Sequence, residues 1–509
     1  MDRLTISEVN LARTGAQPSL ALKPLSYKQY DAFKSPHSLK YNPSKLSLKH
    51  LSVESQQFSG ASLKKLATPS PSCPAIQLCT GRPNADHFPW KSFQSGPETV
   101  TKSMETPRND SESNGPYELT SMLDYGHAAG SPQLLRFITE HVELVHNPPY
   151  ADWGTCLSSG STSALDISLR IFCNRGDNVI CEQFTYAGFL EVADLFGLKT
   201  RGIDMDNDGI RPVALRTLLK SWNWVDGDRP HVLYMIPSGQ NPTGVSQPAE
   251  RKAEIYTIAE EYDMIIIEDD PYYFLNLDTG NVGSSPRPES LNNLTPSYVS
   301  LDTSGRVVRL DSVSKILAPG LRAGWVTAND SIISKFLSYH EVSSAFVSGP
   351  SQLMLIELLD ETWGHEGFFN WLQSLSKKYR QRRDIMIEAC KAHLPKSLCN
   401  WSIPSSGIYI WVQINTEERA NYSSVVSTLD TESEDSRLCI ENRIQANAFE
   451  KGVQVTNGSM FEANTYGNQG LNFRLTFATA DEALLYTGVR LFAEAIKEEF
   501  NEVSHSAVP

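Results

Sequence analysis

Lys315 lies in residues 306–325, RVVRLDSVSKILAPGLRAGW, where residue types and spacing suit one kind of chemistry. The apolar-rich run Val307–Leu310 reads as a short buried strand. It breaks into Ser312-Val313-Ser314-Lys315, passes Pro319-Gly320 and resumes at Leu321-Arg322-Ala323-Gly324-Trp325. A lysine beside small hydroxyls, with an arginine seven residues on, suits a phosphorylated aldehyde cofactor. The amine forms the Schiff base, and Ser312, Ser314 and Arg322 hold the phosphate dianion. A solvated loop lysine fits the same spacing, so this stretch does not decide alone.

Two stretches upstream add to it. Pro237-Ser238-Gly239-Gln240-Asn241-Pro242-Thr243-Gly244 follows the strand-like His231–Ile236, and Ile265-Ile266-Ile267-Glu268-Asp269-Asp270-Pro271-Tyr272-Tyr273 follows next. With S-V-S-K and its arginine, these motifs resemble the fold-type I pyridoxal-phosphate (PLP) enzymes. More narrowly, they resemble class I aminotransferases of the fungal aromatic and 2-aminoadipate/kynurenine group, from about Ile76 to about Glu499. The resemblance implies an α/β fold: a large PLP-binding domain over 76–375 with a mostly parallel sheet flanked by helices. A smaller C-terminal α+β domain would cover 376–500, with some of the N-terminal segment contributing to it. Residues 1–75 would then be a partly ordered arm and 501–509 a tail.

The same resemblance assigns roles residue by residue. Asp270 faces the pyridine nitrogen of the cofactor and keeps it protonated, sustaining the ring as an electron sink. Asn241 and Tyr273 share the ring phenolate oxygen, and Tyr186 stacks on the ring. Lys315 carries the cofactor and then moves the substrate Cα proton. Gly81, in a glycine loop that passes close over the substrate, is a substrate contact; a plain turn glycine fits equally. Tyr125 reaches the cofactor phosphate of the other subunit, which implies a homodimer with shared sites; a core tyrosine is the alternative. Arg474, in Leu471-Asn472-Phe473-Arg474-Leu475-Thr476-Phe477, is costly to bury in an apolar strand without an anion. By resemblance it forks onto the substrate α-carboxylate; a buried structural ion pair is the alternative.

Stepping outward, Ser158-Ser159-Gly160-Ser161-Thr162-Ser163 opens a helix with apolar residues at helical spacing. Its exposed N–H groups and dipole make a phosphate site. Ser161 and Thr162 are the candidate ligands, although a simple N-cap would look the same. The non-alternating Ile265–Ile267 run is that of a strand buried on both faces of a parallel sheet. Asn241 and Asp270 fall just past strand ends, where open α/β sheets collect ligand groups. Trp363–Leu394 is patterned as a long helix, Asp278–Thr303 reads as a surface loop, and Glu417–Ser436 as an acidic insertion.

The chain has 509 residues, enough for more than one core, and a net charge of −14 without a basic stripe, which argues against nucleic acid and anionic membrane as partners. Apolar runs fall far short of a membrane span. Eight scattered cysteines without C-x-x-C argue for reduced thiols and against a zinc site. The N-terminus lacks an apolar signal core and Ala507-Val508-Pro509 is not a peroxisomal address, so a cytoplasmic location is expected. There is no G-x-G-x-x-G, and Val245 stands where a P-loop needs its lysine.

The expected activity is ping-pong transfer of the amino group of an aromatic or other bulky L-amino acid to a 2-oxo acid. A PLP-dependent C–S lyase and a regulatory aminotransferase-like protein remain open at this point.

Overall fold

Strands rich in Val and Ile, hidden on both faces, build the sheet that carries the site. β1 (Trp153–Ser158), β2 (Asn178–Glu182), β3 (Lys199–Ile203), β4 (Val232–Met235), β5 (Ile265–Asp269), β6 (Val307–Ser312) and β7 (Gly324–Asn329) form it. Their order is β1-β7-β6-β5-β4-β2-β3. β7 runs antiparallel to β1 and β6, while the pairs from β6 to β3 are parallel. The computed structural model describes residues 76–79, 81, 84, 87, 126–278, 294–415, 434–463 and 470–505. Tyr125, the arm over 1–75 and residues 417–433 of the acidic insertion lie outside them.

The period-2 alternation of strands sorts side chains onto two sheet faces. Tyr234, Ile267, Val308 and Leu310 belong to one core with α1 (Pro132–Val145), α2 (Ser161–Phe172) and α3 (Ala187–Leu195). Leu233, Met235, Ile266 and Val307 belong to the other, with α4 (Pro212–Lys220) and α5 (Ala249–Glu261). The loops after β1, β2, β4, β5 and β6 therefore converge at one end of the sheet, bringing Ser161, Tyr186, Asn241, the Asp269–Asp270 pair and Lys315 with them.

A second sheet is antiparallel throughout: β8 (Cys399–Trp401), β9 (Tyr409–Ile414), β10 (Thr456–Asn457) and β11 (Leu471–Thr476), in the order β8-β9-β11-β10. Arg474 lies between Trp411 on one neighbour and Thr456 on the other. Phe473 packs on Phe492 of the helix Glu482–His505, with ring centroids 5.2 Å apart. The helix Gly364–His393 runs through the expected boundary at 375/376 and joins the two sheets in sequence. Ile76–Gln77 pairs with Val453–Gln454, which leads Cys79 and Gly81 alongside β10 and β11.

One expectation needs correction. Residues 279–293 lie outside the described residues, but Tyr298–Leu301 is a short helix with Tyr298 and Val299 fully buried, so this end is not a surface loop. The buried Glu268 carboxylate accepts from Tyr298 N (2.9 Å) and Val299 N (3.2 Å), and this anchors the segment. Among the described residues no helix is long and apolar enough to cross a membrane.

Candidate active site

The turn after β6 is anchored by buried Val313, Ile316 and Leu317, which leaves Ser314 and Lys315 on its open side. Ser312 Oγ donates to Ser314 Oγ at 2.9 Å. Arg322, in the left-handed region at φ 46° and ψ 51°, donates to Ser314 Oγ (3.3 Å), Pro319 O (2.9 Å) and Ser159 O (3.1 Å). The serine–arginine turn thereby meets the start of α2, whose N-cap Gly160 makes no side-chain cap. A Cβ on Gly160, already at φ +89°, would stand 2.6 Å from Arg322 Nη2. Ser161, Ser312, Ser314 and Arg322 are thus brought together around an uncapped helix start. Thr162 is exposed and lies near Tyr186, the N-cap of α3.

Opposite this cradle, Arg474 is 1% exposed. Its Nη1 donates to Asn241 Oδ1 (2.8 Å) and its Nη2 to Cys79 O (2.5 Å), while Nε has no partner. The guanidinium carbon lies 4.4 Å from the Tyr409 ring centroid and 4.6 Å from that of Phe461. Lys315 Nζ donates to Gly81 O. Gly81 packs so closely that a Cβ would fall 1.9 Å from the Tyr409 hydroxyl. The loop carrying Asn241 also meets the second sheet's side main chain to main chain: a Cβ on Gly239 would lie 2.5 Å from Gly407 Cα. Lys315, Asn241, Gly81 and Arg474 therefore converge.

Asp270 and Tyr273 do not join them. Consecutive strand residues point to opposite faces, and Asp270 follows Glu268 onto the face of α4 and α5. There Arg309 Nη1 lies 3.0 Å from Glu268 Oε1 and 3.5 Å from Asp270 Oδ2, and Arg309 Nη2 lies 2.8 Å from Asp311 Oδ1. Ser238 Oγ donates to Asp270 Oδ2 (2.9 Å), and Tyr273 covers Arg309 at 4.6 Å and donates its hydroxyl to Thr295 O. The residues on the face of α2 and α3 are Asp269 and Tyr272. Asp269 Oδ2 accepts from Tyr234 at 2.9 Å, and the Tyr272 hydroxyl donates to that of Tyr409 at 3.2 Å. The motif admits two frames one residue apart, and the parity of Ile267 with Asp269 was the signal that separates them. Tyr234, Tyr409 and Phe461 carried no such signal.

Electrostatics follow the same division. Burial pushes Asp269 up to about 7, with the Tyr234 hydrogen bond pulling down. Burial pushes Asp270 up to about 6 against the pull of Arg309. Burial likewise holds Tyr186 up to about 12, with Asp269 and Tyr409 adding to it.

These groups fit pyridoxal 5′-phosphate. Asp269 Oδ1 is buried without a partner on the lysine's face, where an acceptor for a ring N–H is required. Asp270 Oδ1 is also unpartnered, but on the Arg309 side. The glycine-lined gap between Arg322, Ser314 and the start of α2 offers a dianion the charge and donors it needs.

A mostly parallel sheet with its lysine beyond β6 and such a cradle beside it defines a fold-type I PLP enzyme. Residues 116–491 match the model of the aminotransferase class I and II family, and the chain belongs to it as a PLP-dependent aminotransferase. It is 44% identical to the aminotransferase swnA of Metarhizium robertsii, over 84% of this chain and 86% of that one. It is 34% identical to an aromatic amino acid aminotransferase of Schizosaccharomyces pombe, over 89% and 98%. Among solved structures, the aminotransferase Aro8 of Candida albicans superposes with a TM-score of 0.70 at 34% identity, covering 90% of this chain and 100% of that one. The kynurenine aminotransferase of Pyrococcus horikoshii does so with a TM-score of 0.70 at 26% identity, covering 89% and 98%.

Proposed function

We propose that the protein moves the amino group of an aromatic or other bulky L-amino acid to a 2-oxo acid by ping-pong transfer. The observation that carries this is the junction of Arg474 with Asn241 beside Lys315, framed by Tyr409 and Phe461. Relatives named aromatic amino acid aminotransferases support the choice of donor.

The cofactor supplies the electron sink that makes a Cα proton removable. Ser161, Thr162, Ser312, Ser314 and Arg322 bind its phosphate, and Tyr186 fixes its ring plane. Asp269, in place of Asp270, holds the proton on the ring nitrogen. Asn241 and Tyr272, in place of Tyr273, hold the phenolate oxygen. Arg474 binds the substrate α-carboxylate with Nε and the fork it now lends to Asn241 and Cys79. Gly81 carries main chain over the lysine, so no side chain blocks Cα. Lys315 Nζ would hold the cofactor and, once freed by the substrate amine, would be the base that takes the Cα proton and the acid that gives it back. The working form is a cytoplasmic homodimer in which Tyr125 of each copy completes the phosphate site of the other, with the helix Gly364–His393 leading from the large domain into the small one.

Incubation with tryptophan, tyrosine or phenylalanine, with and without 2-oxoglutarate, tests this. Sustained aryl-pyruvate formation only with the acceptor is expected. Product without an acceptor, or turnover confined to thioether amino acids, overturns the reading in favour of a lyase.

A further inference from the structure

Tyr234 lies in the middle of β4, opposite Ile267 of β5, with no exposed surface. Its ring stacks on Phe189 of α3 with centroids 4.0 Å apart and planes 7° apart. That stack leaves the ring no freedom to swing, so the hydroxyl is held at Asp269 Oδ2, 2.9 Å away and out of water. Asp269 Oδ1 has no partner. The aspartate thus presents one satisfied oxygen and one free acceptor.

We infer that Tyr234 is a positioning residue: it turns Asp269 so that Oδ1 alone faces the cofactor ring nitrogen, and it stabilises the carboxylate that keeps this nitrogen protonated. The inference rests on the reading that Asp269, and not Asp270, faces the cofactor. A phenol is suited to this part. Burial holds the Tyr234 hydroxyl well above its ordinary range, so it always donates. A hydrogen bond to the charged form favours that form, against the burial that disfavours it. The other groups facing Asp269 are Asp270, Asp311, Arg309 and Glu182 across the sheet, and Tyr186 and Tyr272 on its own side. None of them has a hydrogen bond to it in the structure. The stack also links the ring-nitrogen partner to the helix whose N-cap is Tyr186, so one aromatic pair registers two cofactor contacts.

The test is Tyr234→Phe, which keeps the ring and its stack, measured on the cofactor-loaded enzyme beside Asp269→Asn and the double variant. Tyr234→Phe is expected to retain cofactor, shift the pH midpoint of its visible absorbance, and lower kcat roughly ten-fold or more, the loss for one hydrogen bond to a charged group. KM should stay within about two-fold, because Arg474 still holds the substrate. In the Asp269→Asn background, Tyr234→Phe should add no further loss. An unchanged spectrum and kcat in Tyr234→Phe, with Asp269→Asn severely impaired, overturns the role of Tyr234 alone. Near-parental turnover in Asp269→Asn overturns the underlying reading. If Tyr234→Phe does not fold, Phe189→Leu frees the ring while keeping the hydroxyl. A spectral midpoint shifted from the parental value then supports the inference, and an unshifted one overturns it.

Discussion

Arg474 of the antiparallel sheet donates to Asn241 of the parallel sheet's loop at 2.8 Å, with both side chains buried. An arginine hidden in an apolar strand needs an anion or a set of acceptors. Here it borrows Asn241 Oδ1 and Cys79 O and leaves Nε unused. The same asparagine serves the cofactor's phenolate oxygen in the proposed scheme, so substrate and cofactor contacts meet at one side chain.

Arg474→Ala should therefore weaken amino-acid binding while leaving the cofactor in place. A lost charge-assisted contact is worth about 1.5–3 kcal/mol, or roughly one to two decades in affinity. Titration of the cofactor absorbance with tryptophan or phenylalanine measures it; parental affinity would refute the carboxylate role.

Asp269→Asn should keep cofactor and lose turnover by about 10²–10³-fold, the scale for removing one preorganised electrostatic contact. Asp270→Asn should instead retain most turnover and lower the melting temperature, because Arg309 loses one of its three buried carboxylates. Single-turnover kinetics and thermal scans of the two variants decide the matter. The opposite pattern would restore Asp270 to the ring nitrogen.

Lys315→Ala should bind cofactor without a covalent link. Borohydride treatment of the parent protein, followed by peptide mapping, should place the cofactor on Lys315 and nowhere else. Labelling at another lysine would sink the assignment.

Stability of the cofactor-free protein should fall as pH rises from about 6 to 8. Burial holds Glu182 at about 8, Asp269 at about 7 and Asp270 at about 6. The folded protein keeps protons that the unfolded chain has released, so this contribution is complete below an ordinary carboxylate pKa of about 4 and is lost progressively above it: that of Asp270 by about pH 6, and the last of those of Asp269 and Glu182 between about 6 and 8. His141, held down to about 3 by burial, acts only on the acid side of its ordinary value. Melting temperatures across this range provide the check, and added pyridoxal phosphate should flatten the slope by matching an ionised Asp269. A melting temperature that climbs between pH 6 and 8 is inconsistent with Glu182 and Asp269.

Much of this architecture was legible in the residues. The Ile265–Ile267 run and the patterned Trp363–Leu394 stretch became β5 and the helix Gly364–His393. Lys315, Asn241 and Arg474 converge because each follows or lies in a strand whose type was readable. What was not readable depends on parity and on distant partners. Asp269 and Asp270 are chemically identical, and only the direction in which β5 delivers its last side chain separates them. Tyr234 looks like any core tyrosine until Asp269 comes within 2.9 Å. The burial of Tyr298 could not be foreseen without Glu268 waiting to receive its N–H.

The contact between Gly239 and Gly407 bears on how such a site keeps its calibration. Both residues have positive φ, and a methyl group on either would collide with the other's main chain. No side chain lies in that joint, so the offset between the cofactor loop and the carboxylate-binding sheet is a mechanical zero set by atomic radii. Substitutions elsewhere in the pocket can then lengthen or shorten the accepted side chain without moving the point from which its length is measured.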